Sequence, residues 1–463
     1  MKILMTSFNK IANFLIFTLF LFLPFNLYAI SIDVPLEEKA GNHFRKGNFY
    51  IELPLYEYPF DTENRGSFPS MQQSLVITKD FYQLAHAGIE NRLGSRTIRT
   101  GIAIIALDIL PFPLGSTWLH EEWHRAVLSR RNASSYDDVY NFDLFAGSIS
   151  VSHVKDEDLI RLKRDSPADM TRLAEAGIEG EYEMVTALQK DNFFYGINTW
   201  NTPLYLLTYM NSIGYVYFSG TNEANVETDI FNLEEGADIS RRDALGLDFT
   251  AWVYDLFRPT EPYEARGVHP SGVGIDRYIK PSDLTSEELR YLKRQGRLAF
   301  LNLLDPHLLG ISRFRVTNGE SSEPVDVNLS IRHHLTSFGY TIDANLFYKK
   351  DDLNLFLVLH NYANKERHSP GLDVELLRYP FTISQSPLSL NLRSALWLQP
   401  EEQMFKTKEA KLGGLASLRV GWSGFRNVEP FMEVTAKTEG WVAGNAYLDS
   451  NMSVQTGLIY RFK

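Results

Sequence analysis

His120-Glu121-Glu122-Trp123-His124 is the stretch of this chain whose residue types and spacing suit chemistry most directly. Four positions apart on a helix, two imidazoles lie on one face and can share one metal ion. Glu121 stands beside them, placed to take a proton from a metal-activated water as general base and to return it as acid. Two imidazoles do not complete a catalytic site, which takes three protein ligands and leaves one position for water. The chain has no cysteine. The third ligand is therefore expected to be a carboxylate, and the metal a zinc ion held by nitrogen and oxygen.

A helix must present the pentad, and the sequence predicts one over Ser116–Arg131. Ser116 or Thr117 would cap it, Arg130 and Arg131 suit its C-terminal dipole, and Asn132 stops it. Leu119, Trp123 and Val127 supply its buried side, and apolar Gly101–Leu110 lies upstream to pack on it.

With these residues the chain resembles the zincin metallopeptidases, and among them the gluzincin type, whose third ligand is a glutamate on a later helix. The likeness covers the pentad and one downstream segment, Arg172–Met184 (RLAEAGIEGEYEM). Gluzincins follow the ligand glutamate, four residues on, with an acidic partner that orients a zinc histidine. Glu175/Glu179 and Glu179/Glu183 both have this spacing, with Glu in place of the usual Asp. Glu179 is the expected ligand, because Gly177 and Gly180 let its helix approach the pentad and Glu183 stands one turn on as a partner. Glu175 stays open as an alternative. So does Glu90, since Leu84–Glu90 (LAHAGIE) echoes Leu173–Glu179 (LAEAGIE). The resemblance implies attack of water on a peptide carbonyl, with a protein or peptide as substrate. His86, His153, His269 and His307 are further histidines that could assist.

The elements around these residues fall into two regimes. Up to about Gly310 the pattern is helical, with further helices expected over Leu75–Leu93, Ala168–Gln189 and Asp283–Leu304, the last opened by Asp283 and Glu287. Gly101–Leu110 and Pro203–Phe218 are apolar enough to read as buried core helices. From Val325 the chain alternates strictly, giving eight candidate strands. Their apolar rows carry no charge, while the opposite rows collect Arg393, Arg419, Arg461, Glu375, Glu433 and Lys437. Tyr340, Tyr348, Trp422, Tyr460 and Phe462 sit near strand ends, and Tyr460-Arg461-Phe462-Lys463 resembles the last strand of bacterial outer-membrane barrels. A charged inside with an apolar outside suits a small barrel facing outer-membrane lipid. A soluble sandwich alternates as well, so a periplasmic β-domain is the competing arrangement.

The N-terminus sets the compartment. Lys2 and Lys10 precede the apolar run Phe14–Pro24, and Leu27-Tyr28-Ala29 ends in a small residue, the layout of a secretory signal peptide cut after Ala29. A net charge of −11 offers no basic surplus for nucleic acid. The chain thus reads as an α+β multidomain protein. Residues 1–29 form the signal, 30–310 a mainly helical metallohydrolase region, and 325–463 an antiparallel β-barrel of about eight strands. The rival reading is a structural or transport barrel whose N-terminal region binds metal without catalysis.

Overall fold

The computed structural model describes residues 30–33, 49–60, 68–94, 97–141, 149–197, 200–318 and 324–462. The expected signal peptide lies outside them. Among the described residues nine α-helices precede the long strands: α1 (Met71–Leu93), α2 (Ile98–Ile109), α3 (Ser116–Arg130), α4 (Asp156–Asp165), α5 (Pro167–Tyr195), α6 (Thr202–Phe218), α7 (Glu223–Glu235), α8 (Asp248–Phe257) and α9 (Ser286–Leu298). The strands are β1 (Ile30–Asp33), β2 (Tyr50–Pro59), the short pair β3 (Tyr136–Asp137) and β4 (Val151–Ser152), β5 (Phe314–Asn318), β6 (Val325–Thr336), β7 (Gly339–Lys350), β8 (Leu353–Ala363), β9 (His368–Ile383), β10 (Ser386–Pro400), β11 (Ala410–Trp422), β12 (Val428–Lys437) and β13 (Asn451–Arg461). The architecture is α+β.

Local chemistry explains the helix ends. α5 starts with Pro167, whose missing N–H is not needed there, and stops where Gly196 takes a left-handed φ of 69°. α9 opens on a reciprocal cap between Thr285 and Glu288, rather than at the expected Asp283 and Glu287. α3 departs from expectation too. Its N-cap is Gly115 with no side-chain cap, and the Ser116 N–H donates instead to the Tyr82 hydroxyl at 2.9 Å. The orphan donor is satisfied from a neighbouring helix.

β6 to β13 are the eight alternating strands expected, and they join β5, β1 and β2 in one antiparallel sheet of eleven strands. Its order runs from β1 through β5 to β13 and ends at β2, so β1 and β2 are its edges and the sheet is open. Beyond the eight strands expected of a barrel, β1 and β2 add N-terminal chain to the sheet, and among the described residues no pair links its edges. Register turns the alternation into belts. Tyr348, Leu355, Leu376, Leu392, Leu418, Val434, Val454 and Tyr58 follow one another across eight neighbouring strands. Every member is uncharged. Leu392, Leu418, Leu396, Met432 and Met452 on this face are exposed. The opposite face pairs Glu375 with Arg393, and Arg419 with Glu433. That face meets α1 and α5, where Lys190 bonds Glu375 and Lys79 bonds Asp191 at 2.8 Å. A polar cavity of about 270 Å³ lies between sheet and helices.

The main apolar core is helical and gathers residues of α1, α3, α5, α6 and α8. Leu119, Trp123 and Val127 of α3 are fully buried in it, each aliphatic member contributing roughly 1.5–3 kcal/mol. α2 differs from its reading as a core helix: Ile98, Ile102, Ile105 and Ile109 form an exposed stripe, and Ile104 turns inward. No helix among the described residues is long and apolar enough to cross a membrane.

Candidate metal centre

α3 lies against α5, and two glycines allow the close approach. A Cβ on Gly177 would stand 2.2 Å from His120 Nε2, and one on Gly180 would stand 2.8 Å from Trp123 Cδ2. Any side chain at 177 must displace the imidazole. The packing seats His120, Glu121 and His124 on one buried face of α3.

The third member of the group is Asp248, the first residue of α8. One donor atom from each of His120, His124 and Asp248 lies within 4.8 Å of the other two. Asp248 Oδ2 stands 3.3 Å from His120 Nε2 and 3.6 Å from His124 Nε2. The far side of each ring is fixed by a partner. His124 Nδ1–H donates to the Leu173 carbonyl at 2.6 Å, which leaves the lone pair on Nε2. His120 Nδ1 lies 3.3 Å from Glu181 Oε1, and the Ser212 hydroxyl donates to the other oxygen of Glu181.

His124 Nε2 is buried and has no hydrogen-bond partner among the described residues. An orphaned lone pair costs free energy unless a cation or a donor meets it. The donor set therefore fits a divalent ion that takes nitrogen and carboxylate oxygen, zinc among them. Burial alone would raise the Asp248 carboxyl, but the facing imidazoles of His124 and His120 bring it down to about 2. Burial works against a charged His120, yet its bonds to Asp248 and Glu181 carry it well above the ordinary range. Burial raises Glu121 strongly; His120 opposes, while Asp137, Asp243 and Asp248 add to the rise.

The group opens on a cleft of about 560 Å³ whose lining comes from α3, α6, α7 and the segments before β4 and α8. No residue of the eleven-stranded sheet lines it. Tyr215 does, and its hydroxyl accepts from the Asp248 N–H at 3.3 Å, leaving its own proton available. Burial, with Asp248 and Asp243 nearby, holds this phenol well above its usual range, so it stays protonated.

Glu179, the expected third ligand, lies elsewhere. Arg172 takes it in a buried ion pair, with Nη2 2.9 Å from Oε1, and the Gly444 N–H donates to the same oxygen at 2.7 Å. Glu175 meets Arg172 at 2.5 Å and accepts from Trp441 Nε1–H at 2.9 Å. Helical phase is the cause. Gly177 and Glu181, four apart, share the face toward His120, and Glu179, two residues from either, points about 200° away. Glu181 rather than Glu183 is the histidine's partner; Glu183 faces the sheet beside His334. Glu90 is buried in α1 and is not part of the group. His86 bonds Asp108 and Asn201, His307 bonds Asp305, His269 bonds Ser271 and His153 bonds Ser152. None of the four lines the cleft.

The sequence reading missed Asp248, Glu181 and Tyr215. Asp248 stands 128 positions from His120, and its one local signal is an acidic residue opening a helical stretch. Comparison of the sequence with models of known families finds no match, and comparison with curated proteins finds none either.

Proposed function

We propose that this chain is an exported zinc metallohydrolase of the cell envelope, a peptidase with its site on the helices and its sheet against outer-membrane lipid. The observation that carries the hydrolase is the convergence of two imidazoles and a carboxylate, with an orphaned Nε2, at the floor of an open cleft beside Glu121. His120, His124 and Asp248 would hold the ion. Zinc bound there supplies a Lewis acid that polarises a carbonyl and lowers the pKa of water. Glu121, next to His120 on α3 and lining the cleft, takes the proton from the attacking water and passes it to the leaving amine. Tyr215 donates to the developing oxyanion. Glu181 and the Leu173 carbonyl hold the two rings in place. The likeness to zincins rests on the pentad; the aspartate in third place departs from the gluzincin pattern. Metal analysis of the purified chain, with peptide hydrolysis before and after chelation, tests this reading. About one zinc per chain and activity restored by zinc support it; hydrolysis that survives full metal removal overturns it.

The membrane assignment rests on the uncharged belt across eight strands, backed by ion pairs on the opposite face. β1 and β2 are consecutive along the chain and are the two edges, so their pairing would close the sheet into a barrel. Leu418→Arg on the belt is expected to cost roughly 2–4 kcal/mol in a bilayer and to reduce assembly. Ser417→Ala, on the inner face, should do so far less. Equal recovery of Leu418→Arg and wild type from the membrane fraction, or full solubility without detergent, would refute the assignment.

A further inference from the structure

The walls of the cleft carry more than the metal group. Val151, Met210, Phe218, Phe231, Leu245 and Leu247 line it with apolar surface. Four carboxylates line it as well: Glu121, Asp248, Asp243 and Glu227. No lysine or arginine is among the described lining residues. With Asp248 holding the ion and Glu121 moving the proton, Asp243 and Glu227 are left without a role in that reaction. Among the described residues neither has a cationic partner of its own. Arg277 reaches Asp243 through the backbone carbonyl, at 3.1 Å, and gives its charge to Asp156 at 2.8 Å. Glu227 is half-buried and makes no ion pair among the described residues. Burial and the carboxylates of Glu235 and Asp248 push Asp243 up, so an incoming basic side chain supplies the cation that favours its ionised form, and together with Glu227 it attracts a basic side chain and repels an anionic one. The missing arginine or lysine has a second consequence. A site that binds the free carboxylate at a chain end needs a basic side chain to receive it, and the described lining offers none.

Resting on the peptidase reading above, we infer that the cleft takes internal bonds of a cationic, apolar polypeptide segment, with Glu227 and Asp243 receiving a lysine or arginine side chain. Its substrates carry basic residues within apolar sequence, and chain ends and acidic peptides are excluded.

The test uses the zinc-loaded full chain and end-blocked peptides that share one apolar sequence and differ at one position, Lys, Gln or Glu. The Lys peptide should exceed the Glu peptide in kcat/KM by at least about tenfold. Glu227→Gln should shrink that ratio, and Glu227→Lys should shrink it further or invert it. A digest of a mixed peptide pool, run beside Glu121→Gln, distinguishes a failure of the charge preference from a failure of the peptidase reading. Glu121-dependent cleavage without a basic preference, or a requirement for a free C-terminal carboxylate, overturns the inference and leaves the peptidase reading standing. A ratio untouched by either Glu227 variant overturns it as well. Absence of Glu121-dependent cleavage anywhere in the pool overturns both.

Discussion

Replacing Glu121 by glutamine is expected to leave the metal bound and to lower the hydrolytic rate by about 10²–10⁴-fold, the usual worth of a positioned general base. Glutamine keeps the shape of the side chain and cannot take a proton. Glu121 is 8% exposed on α3, so an isosteric change disturbs little packing. The surrounding charge favours the variant's fold. Burial and the carboxylates of Asp137, Asp243 and Asp248 oppose an ionised Glu121, and removing that charge relieves the opposition. The unfolding midpoint should therefore be unchanged or higher. Zinc content and single-turnover hydrolysis, measured on one preparation, check this. A variant that binds zinc and keeps wild-type activity would remove Glu121 from the mechanism. If the wild type also binds zinc and hydrolyses nothing, the rival reading of a non-catalytic metal site gains the argument.

The second large effect separates Asp248, which the sequence did not single out, from Glu179, the ligand expected from it. Asp248→Ala should weaken zinc binding by more than the ~10–100-fold typical of losing an outer partner, because a donor at 3.3–3.6 Å from both imidazoles disappears. Glu181→Gln should fall inside that range, since Glu181 touches His120 and not the ion's position. Glu179→Ala should keep its zinc and lose about 3–5 kcal/mol of stability, because Arg172, fully buried, is left with Glu175 as its remaining carboxylate. Zinc titration and denaturant unfolding of the three variants give the comparison. If Glu179→Ala loses the metal while Asp248→Ala keeps it, the geometric assignment fails.

The residues that could be read from sequence were those whose signal is local. His120 and His124 are one helical turn apart, so their meeting needs only the helix that Leu119, Trp123 and Val127 imply. Gly177 and Gly180 pointed correctly to a close helix contact, but the phase of the neighbouring carboxylates was assigned one face wrong. Asp248 carried only the weak signal of an acidic residue opening a helix, because chain distance hides its partners. The eight strands from Val325 were legible through strict alternation, which is their burial pattern written along the chain. β2 alternates less cleanly, interrupted by Pro54 and Pro59, and its place beside β13 depends on pairing across almost the whole chain. α2 misled in the other direction. Its isoleucines read as core, yet the fold leaves four of them exposed, because composition reports how apolar a helix is and not which neighbours it meets.

α5 presents one face to the histidines and the other to Trp441, Gly444 and Asn445, in the segment between β12 and β13. The Glu175–Trp441 bond spans 266 positions of chain. A ribosome delivers α3 and α5 long before it delivers that segment, and until then Arg172 and its two glutamates lack their distant partners. Closing so long a loop is entropically costly and comes late in folding. The helix that backs His120 is thus locked by a segment made 266 positions after Glu175, and completion of the cleft floor follows synthesis of the strands up to β12 instead of preceding it.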